Sequence, residues 1–197
     1  MSHSVHKTIQ IIHDEHSSIS AMLQSMNLMI ERGPRDNPRM FFDVIRAMLF
    51  YIEEFPERLH HPKESEYLFP AILKHHPELK ETIDSLDLEH QKSSSKGKEL
   101  QHFLLAWELI GESRKEKFIS ATQEYLNFYF NHMHIEHTVI LPLALKTLSD
   151  SEWATIDFHF SSNVDPLSYS KGEDETYKHL FTTITNHAPA PIGLGDD

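Results

Sequence analysis

Sixteen histidines and no cysteine occur among 197 residues. Without thiols the chain has no disulfide, no thiolate nucleophile and no zinc–cysteine or self-ligated iron–sulfur site, so a metal here would sit on nitrogen and oxygen. Four of the histidines lie on apolar stripes at helical spacing. Steps of three and four residues link Ile9, Ile12, His16, Ile19, Leu23, Met26 and Ile30, and again Ile83, Leu86, His90, Ser93, Gly97, Leu100, Leu104 and Trp107. A third stripe reads Phe118, Thr122, Tyr125, Tyr129, His132, Glu136, Val139 and Leu143. A fourth runs through Ile45, Leu49 and Ile52 and, after a change of register at Pro56, brings in His60 and Glu64. His60/Glu64 and His132/Glu136 are the only His-x-x-x-Glu spacings in the chain, each pair one helical turn apart on one face. Imidazole and carboxylate without thiolate suit iron, zinc or manganese, and two carboxylates near a common axis can bridge a metal pair.

To converge, these side chains need packed helices, and the breakers fall where such helices would end. A first helix is expected from about Val5 to Glu31, stopping at the cluster Gly33-Pro34-Arg35-Asp36-Asn37-Pro38. A second runs from about Arg39 to His75, with Pro56, Pro62 and Pro70 each expected to kink it or end a segment. A third follows Pro77 and ends near Gly111; a fourth runs from about Ser113 to Leu148 with a kink at Pro142. No segment alternates with period two, so strands are not indicated. The expected fold is all-α, an up-down-up-down four-helix bundle over residues 1–148, with a short helical appendage over 149–197. In that appendage Ser149-Asp150-Ser151-Glu152 has the form of a capping box opening a short helix to about Phe160. A turn at Asp165-Pro166, a helix from about Gly172 to Asn186 and a loosely ordered Pro/Gly tail follow. The appendage is too small to fold alone and is read as packed on the bundle, or as the contact surface of a homodimer.

In such a bundle, residues on neighbouring helices meet only when they stand equally far from the loop that joins them. His16 and His60 lie roughly 26 and 33 Å from the first loop, His60 and His90 roughly 26 and 20 Å from the second, and His90 and His132 roughly 32 and 29 Å from the third. All four helices therefore deliver a histidine to about the same level. Six buried groups of this kind without a counter-ion would leave unpaired polar and ionised atoms, and a bound cation accounts for them. The ferritin-like alternative needs Glu-x-x-His on two helices; Glu57/His60 and Glu99/His102 have that spacing but differ in depth by roughly 12 Å.

Composition narrows the partners. Thirty acidic against 18 basic residues give a net charge of −12, which repels phosphate backbones and anionic lipid. Neither nucleic acid nor a membrane surface is an expected partner. The N-terminal residues lack the apolar stretch of a signal peptide, and apolar runs such as Phe103–Trp107 are far too short to span a bilayer, so a cytoplasmic location is expected.

The stretches IIHDEHSSISAML around His16, FPERLHHPKESEYLFPAI around His60 and Glu64, LEHQ around His90 and HMHIEHTVILPLA around His132 and Glu136 resemble the hemerythrin-like, or HHE cation-binding, domain. The resemblance spans residues 6 to about 148. It implies a four-helix bundle holding two iron ions as an oxo- or hydroxo-bridged non-haem di-iron centre. His16, His60, Glu64, His90, His132 and Glu136 are then the ligands, with both glutamates bridging. Ser94 stands where oxygen-carrying hemerythrins have a further third-helix histidine, and His137 where they have an aspartate. The set of four histidines and two glutamates is closer to bacterial HHE proteins, including those assigned to iron-centre repair. His61 follows His60 by about 100° around the helix, where some HHE proteins place a ligating carboxylate, and is an added candidate ligand.

Other polar residues are read as ordinary. His13 flanks the seam; Tyr67, Tyr125 and Tyr129 fill the core; His75, His76, His159, His179 and His187 lie on the surface or in the appendage. The function that follows is a non-haem di-iron protein that binds or senses O2, NO or peroxide, or buffers iron under oxidative or nitrosative stress. A zinc- or manganese-dependent hydrolase using a metal-activated water, an iron-centre repair protein, and a bundle whose histidines merely fill its core are the alternatives.

Overall fold

A computed structural model describes residues 6–163 and 175–195. Every regular element among them is helical. Helix α1 is Lys7–Arg32, α2 is Pro38–Glu54, α3 is His61–Lys63 and α4 is Phe69–His75. The long α5 is Lys80–Ile110, followed by α6 at Lys115–Ile135, α7 at Leu141–Thr147, α8 at Asp150–Phe160 and α9 at Glu175–His187. Helix α1 packs on α2, α6 and α8; α5 packs on α2 and α6; α9 packs on α2. The Asn37 side chain caps α2 by accepting from the N–H of Met40 at 3.2 Å, with Pro38 pre-set at the first helical position. Gly33 and Gly111, at φ 69° and 105°, end α1 and α5 in a region that side chains disfavour. No helix of the described residues is long and apolar enough to cross a membrane.

The prolines interrupt the α-helical segments, as expected, and the interruptions are widened turns. Pro56–His60, Glu64–Leu68 and Glu136–Ile140 are π-helical turns, so each arm runs on through its prolines as a widened helix. Pro70 and Pro142 lack the N–H that an α-helix would direct at the carbonyl four residues back, and their rings crowd that carbonyl. The chain relaxes by bonding Phe69 N–H to the Glu64 carbonyl and Leu141 N–H to the Glu136 carbonyl, one residue further than in an α-helix. The extra residue moves the inward face. After Glu136 the buried positions are Ile140, Leu141, Ala144 and Leu148, not the Val139 and Leu143 that an unbroken α-helical period expects.

Two apolar clusters fill the interior. One gathers Ile9, Ile12, Leu68, Phe69, Ile72, Ile83, Leu86, Ile140 and Trp153. The other gathers Ile19, Met22, Leu23, Ile45, Tyr51, Leu100, Trp107, Phe118 and Tyr129. Along α1 the boundary falls between Ile12 and Ile19, where His16 lies, and along the last arm between Tyr129 and Ile140, where His132 and Glu136 lie. The polar layer is thus closed above and below by hydrocarbon.

The capping box of α8 forms as expected: Ser149 Oγ accepts from Glu152 N–H while Glu152 accepts from Ser149 N–H at 2.9 Å. The expected turn at Asp165-Pro166 and the first residues of the last expected helix lie outside the described residues. The tail, expected to be loose, is instead fastened. Ser25 Oγ donates to the Pro189 carbonyl at 2.8 Å and accepts from Ile192 N–H at 3.0 Å, Leu194 N–H reaches Thr185 O at 2.7 Å, and Ala188 is fully buried. At the other end of α1, Asp157 of α8 accepts from both the N–H and the hydroxyl of Thr8 at 2.8 and 2.6 Å. That carboxylate supplies the cap that α1 lacks in its own sequence.

Candidate metal centre

The four histidines reach one level from four helical arms. Nε2 of His16, from α1, lies 2.9 Å from Nε2 of His60, from the first π-helical turn. Nε2 of His90, from α5, lies 2.9 Å from Nε2 of His132, from α6. Between these pairs stand the two glutamates, each opening a π-helical turn. Glu64 Oε2 is 3.3 Å from His60 Nε2 and 3.6 Å from His90 Nε2. Glu136 Oε2 is 3.4 Å from His16 Nε2, and its Oε1 is 3.2 Å from His132 Nε2 and 4.0 Å from His90 Nε2. Among the described residues, three groupings have donor atoms mutually within 4.8 Å: His16, His60 and Glu64; Glu64, His90, His132 and Glu136; and His61, His90 and His132. His61 stacks on His90 at 4.2 Å between centroids, and its Nδ1 has no hydrogen-bond partner.

The outward nitrogens are held by a second ring of groups. His60 Nδ1 lies 2.6 Å from Glu15, His132 Nδ1 2.8 Å from Glu89, His90 Nδ1 2.8 Å from Ser65 Oγ and His16 Nδ1 2.7 Å from His137 Nε2. Facing a carboxylate, Nδ1 of His60 and of His132 donates, which turns Nε2 of each ring inward; on His132 that nitrogen carries the proton a cation would have to displace. Glu15 and Glu89 escaped the sequence reading, yet each directly precedes one of the stripe histidines, His16 and His90. A residue one position earlier points about 100° aside and so serves the neighbouring arm. Glu57, dismissed above on depth, lies beside the layer. It is 3.4 Å from His61 Nδ1 and accepts hydrogen bonds from Ser93 and Tyr129. Tyr125 and Tyr129 are buried in the core, and Tyr67 stacks on His159 at 3.6 Å. His13 is exposed and meets His137 edge-on at 4.7 Å. Ser94 donates to Glu53 at 2.9 Å. His75 pairs with Glu152 at 3.0 Å and His76 with Glu78 at 2.8 Å, both away from the layer.

Electrostatics divide the groups of the layer. Burial, reinforced by neighbouring imidazoles, holds His16, His61 and His90 below the usual histidine range, so they are neutral. Burial also disfavours charge on His132, but Glu136 and Glu89 outweigh it and raise that ring to about 9. Glu136 is correspondingly held low, chiefly by His132 against the opposing effect of burial. Glu64 is pushed up by burial and by the adjacent charge of Glu136.

These residues fit a cation. All four carboxylate oxygens of Glu64 and Glu136 are buried without a hydrogen-bond partner, which is costly unless a positive charge meets them. Two donors each about 2.1 Å from one ion, at right angles, stand about 3 Å apart. The inward Nε2–Nε2 and Nε2–carboxylate spacings of 2.9 to 3.6 Å surround that value.

An all-helical protein with a buried histidine–glutamate layer of this kind belongs to the class of helical cation binders. The model of the hemerythrin HHE cation-binding domain matches residues 7–144, and the chain is a member of that family. A comparison with curated proteins returned no match.

Proposed function

We propose that the chain is a non-haem di-iron protein that takes up O2, NO or peroxide, or buffers iron under oxidative or nitrosative stress. The four arms, α1, α2 to α4, α5, and α6 to α7, are read as an up-down-up-down bundle over residues 1–148, with 149–197 as its appendage. His16 and His60 would hold one ion and His90 and His132 the other, with Glu64 and Glu136 between them. His61, on the His90 side, would add a third nitrogen there. Ferrous iron held by these residues would supply the chemistry that binds a small diatomic or peroxide. The protein's own part is to neutralise, orient and keep dry. Glu64 and Glu136 balance the cationic charge, Glu15 and Glu89 fix the tautomers of His60 and His132, and the two apolar clusters exclude water.

The observation that carries this reading is the set of four partnerless carboxylate oxygens ringed by inward Nε2 atoms. Elemental analysis of untagged protein from iron-replete cells is expected to give two irons per chain, and mixing the anaerobic ferrous protein with O2 or NO to change its visible spectrum. A single zinc, or a fully iron-loaded protein indifferent to both gases, overturns it.

A further inference from the structure

Most of the polar layer is sealed. His60, Glu64 and Glu136 are fully buried and His132 and His16 nearly so; His90 is the least buried of the layer and is backed by Ser65, while the outward sides of His60 and His132 are covered by carboxylates. His16 differs: its outward partner is the half-buried His137, and both line a groove of about 500 Å³ between α1 and α6. Ser20, Ala21 and Met133 form its sides. Pro191 forms part of its wall, held against α1 by the two hydrogen bonds that Ser25 makes to Pro189 and Ile192. No Lys, Arg, Asp or Glu lines the groove. An anion would find no counter-charge there, in a protein of net charge −12.

We propose that this groove binds a small uncharged molecule and passes it to the His16 edge of the centre, with His137 as the door and the C-terminal segment as one wall. The wall lies beyond residue 144, outside the stretch that the family shares. Passage requires the His137 ring to swing off His16 Nδ1, breaking their 2.7 Å contact. The proposal rests on the reading of the layer as a metal centre.

Its test uses the full chain loaded with ferrous iron, with NO as the probe, mixed anaerobically in a stopped-flow spectrometer. Iron content is measured first for the parent and each variant. Ala21→Phe, which fills the groove, is expected to slow the reaction at least fivefold with iron content unchanged, and His137→Ala to speed it severalfold. Rates within twofold of the parent in both loaded variants overturn the route while leaving the metal centre standing. A parent that takes up no iron overturns both. A second measurement needs no metal: dissolved O2 relaxes amide protons near the places it visits. In the metal-free protein Ser20, Ala21 and His137 are expected to show that enhancement, and to lose it in Ala21→Phe. An enhancement absent at these three residues also overturns the proposal.

Discussion

Glu15 precedes His16 in sequence but serves a different arm, taking the Nδ1–H of His60 at 2.6 Å. Glu89 repeats the relation one half-molecule later, preceding His90 and taking the Nδ1–H of His132 at 2.8 Å. The two halves thus use the same device, a glutamate–histidine pair on one helix locking the His-x-x-x-Glu turn of its neighbour. Removing either lock with Glu15→Ala or Glu89→Ala is expected to weaken metal affinity by roughly 10–100-fold while leaving the fold intact. Competition against a coloured chelator reads this directly, and unchanged affinity in both variants would show that the locks are incidental.

Glu64→Leu is expected to act with opposite signs in the two states. It removes a buried, partnerless carboxylate beside Glu136, so the metal-free protein should gain roughly 1–4 kcal/mol. The variant should also lose the rise in melting temperature that saturating metal gives the parent, a rise equivalent to about 4 kcal/mol at a thousandfold excess over the dissociation constant. Paired thermal melts with and without Fe2+ or Zn2+ decide the matter, and a destabilised metal-free variant would count against the site.

Protons compete with metal here in a defined way. His132, raised to about 9, carries a proton in the metal-free protein at neutral pH and must release it to ligate. His16, His61 and His90 are held neutral and release none. Apparent affinity should therefore rise with pH up to about 9, by about tenfold per unit for each proton displaced. Glu64, whose affinity for protons is also raised, adds a second proton wherever it is still protonated. For the metal-free fold the sign reverses. A ring raised from 6.5 to about 9 stabilises fully below 6.5, and that contribution fades as pH climbs through about 9. Proton release on metal addition in weakly buffered solution, with urea melts at pH 6.5 and 9.5, checks both halves.

Ser25→Ala leaves the Pro189 carbonyl and the Ile192 N–H without their partner. A loss of about 1–3 kcal/mol in urea unfolding is expected, together with faster proteolysis after Ala188. Unchanged cleavage would mean that the tail is held by its backbone hydrogen bonds and apolar contacts without help from Ser25.

Much of this was legible in the sequence because helical period is a local signal. The inward faces of α1 and α5, from Ile9 to Ile30 and from Ile83 to Trp107, are as their spacing implied, and the level shared by His16, His60, His90 and His132 followed from counting residues to the loops. The last arm departed after Glu136, where Pro142 traded an α-turn for a π-turn and moved the face to Ile140 and Ala144. A proline announces disruption without specifying whether the chain bends, breaks or widens. Glu15 and Glu89 were missed because each serves a histidine on another arm, and cross-helix reach is invisible to a one-helix pattern; Glu57 was set aside with the ferritin-like spacing and lies beside His61 of its own arm. The tail's anchorage to Ser25, more than 160 positions away, leaves no local trace at all.

Thr8 and Ser25 bracket Glu15 and His16, and both are gripped by residues from the far end of the chain, Asp157 below and Pro189 with Ile192 above. The final quarter of the polypeptide is therefore a splint for the opening helix, about 39 Å long. Trimming the chain to the stretch that the family model matches would leave that helix to be steadied by its hydrocarbon face and by a bound ion, so folding and loading would become one event where the intact chain keeps them separable.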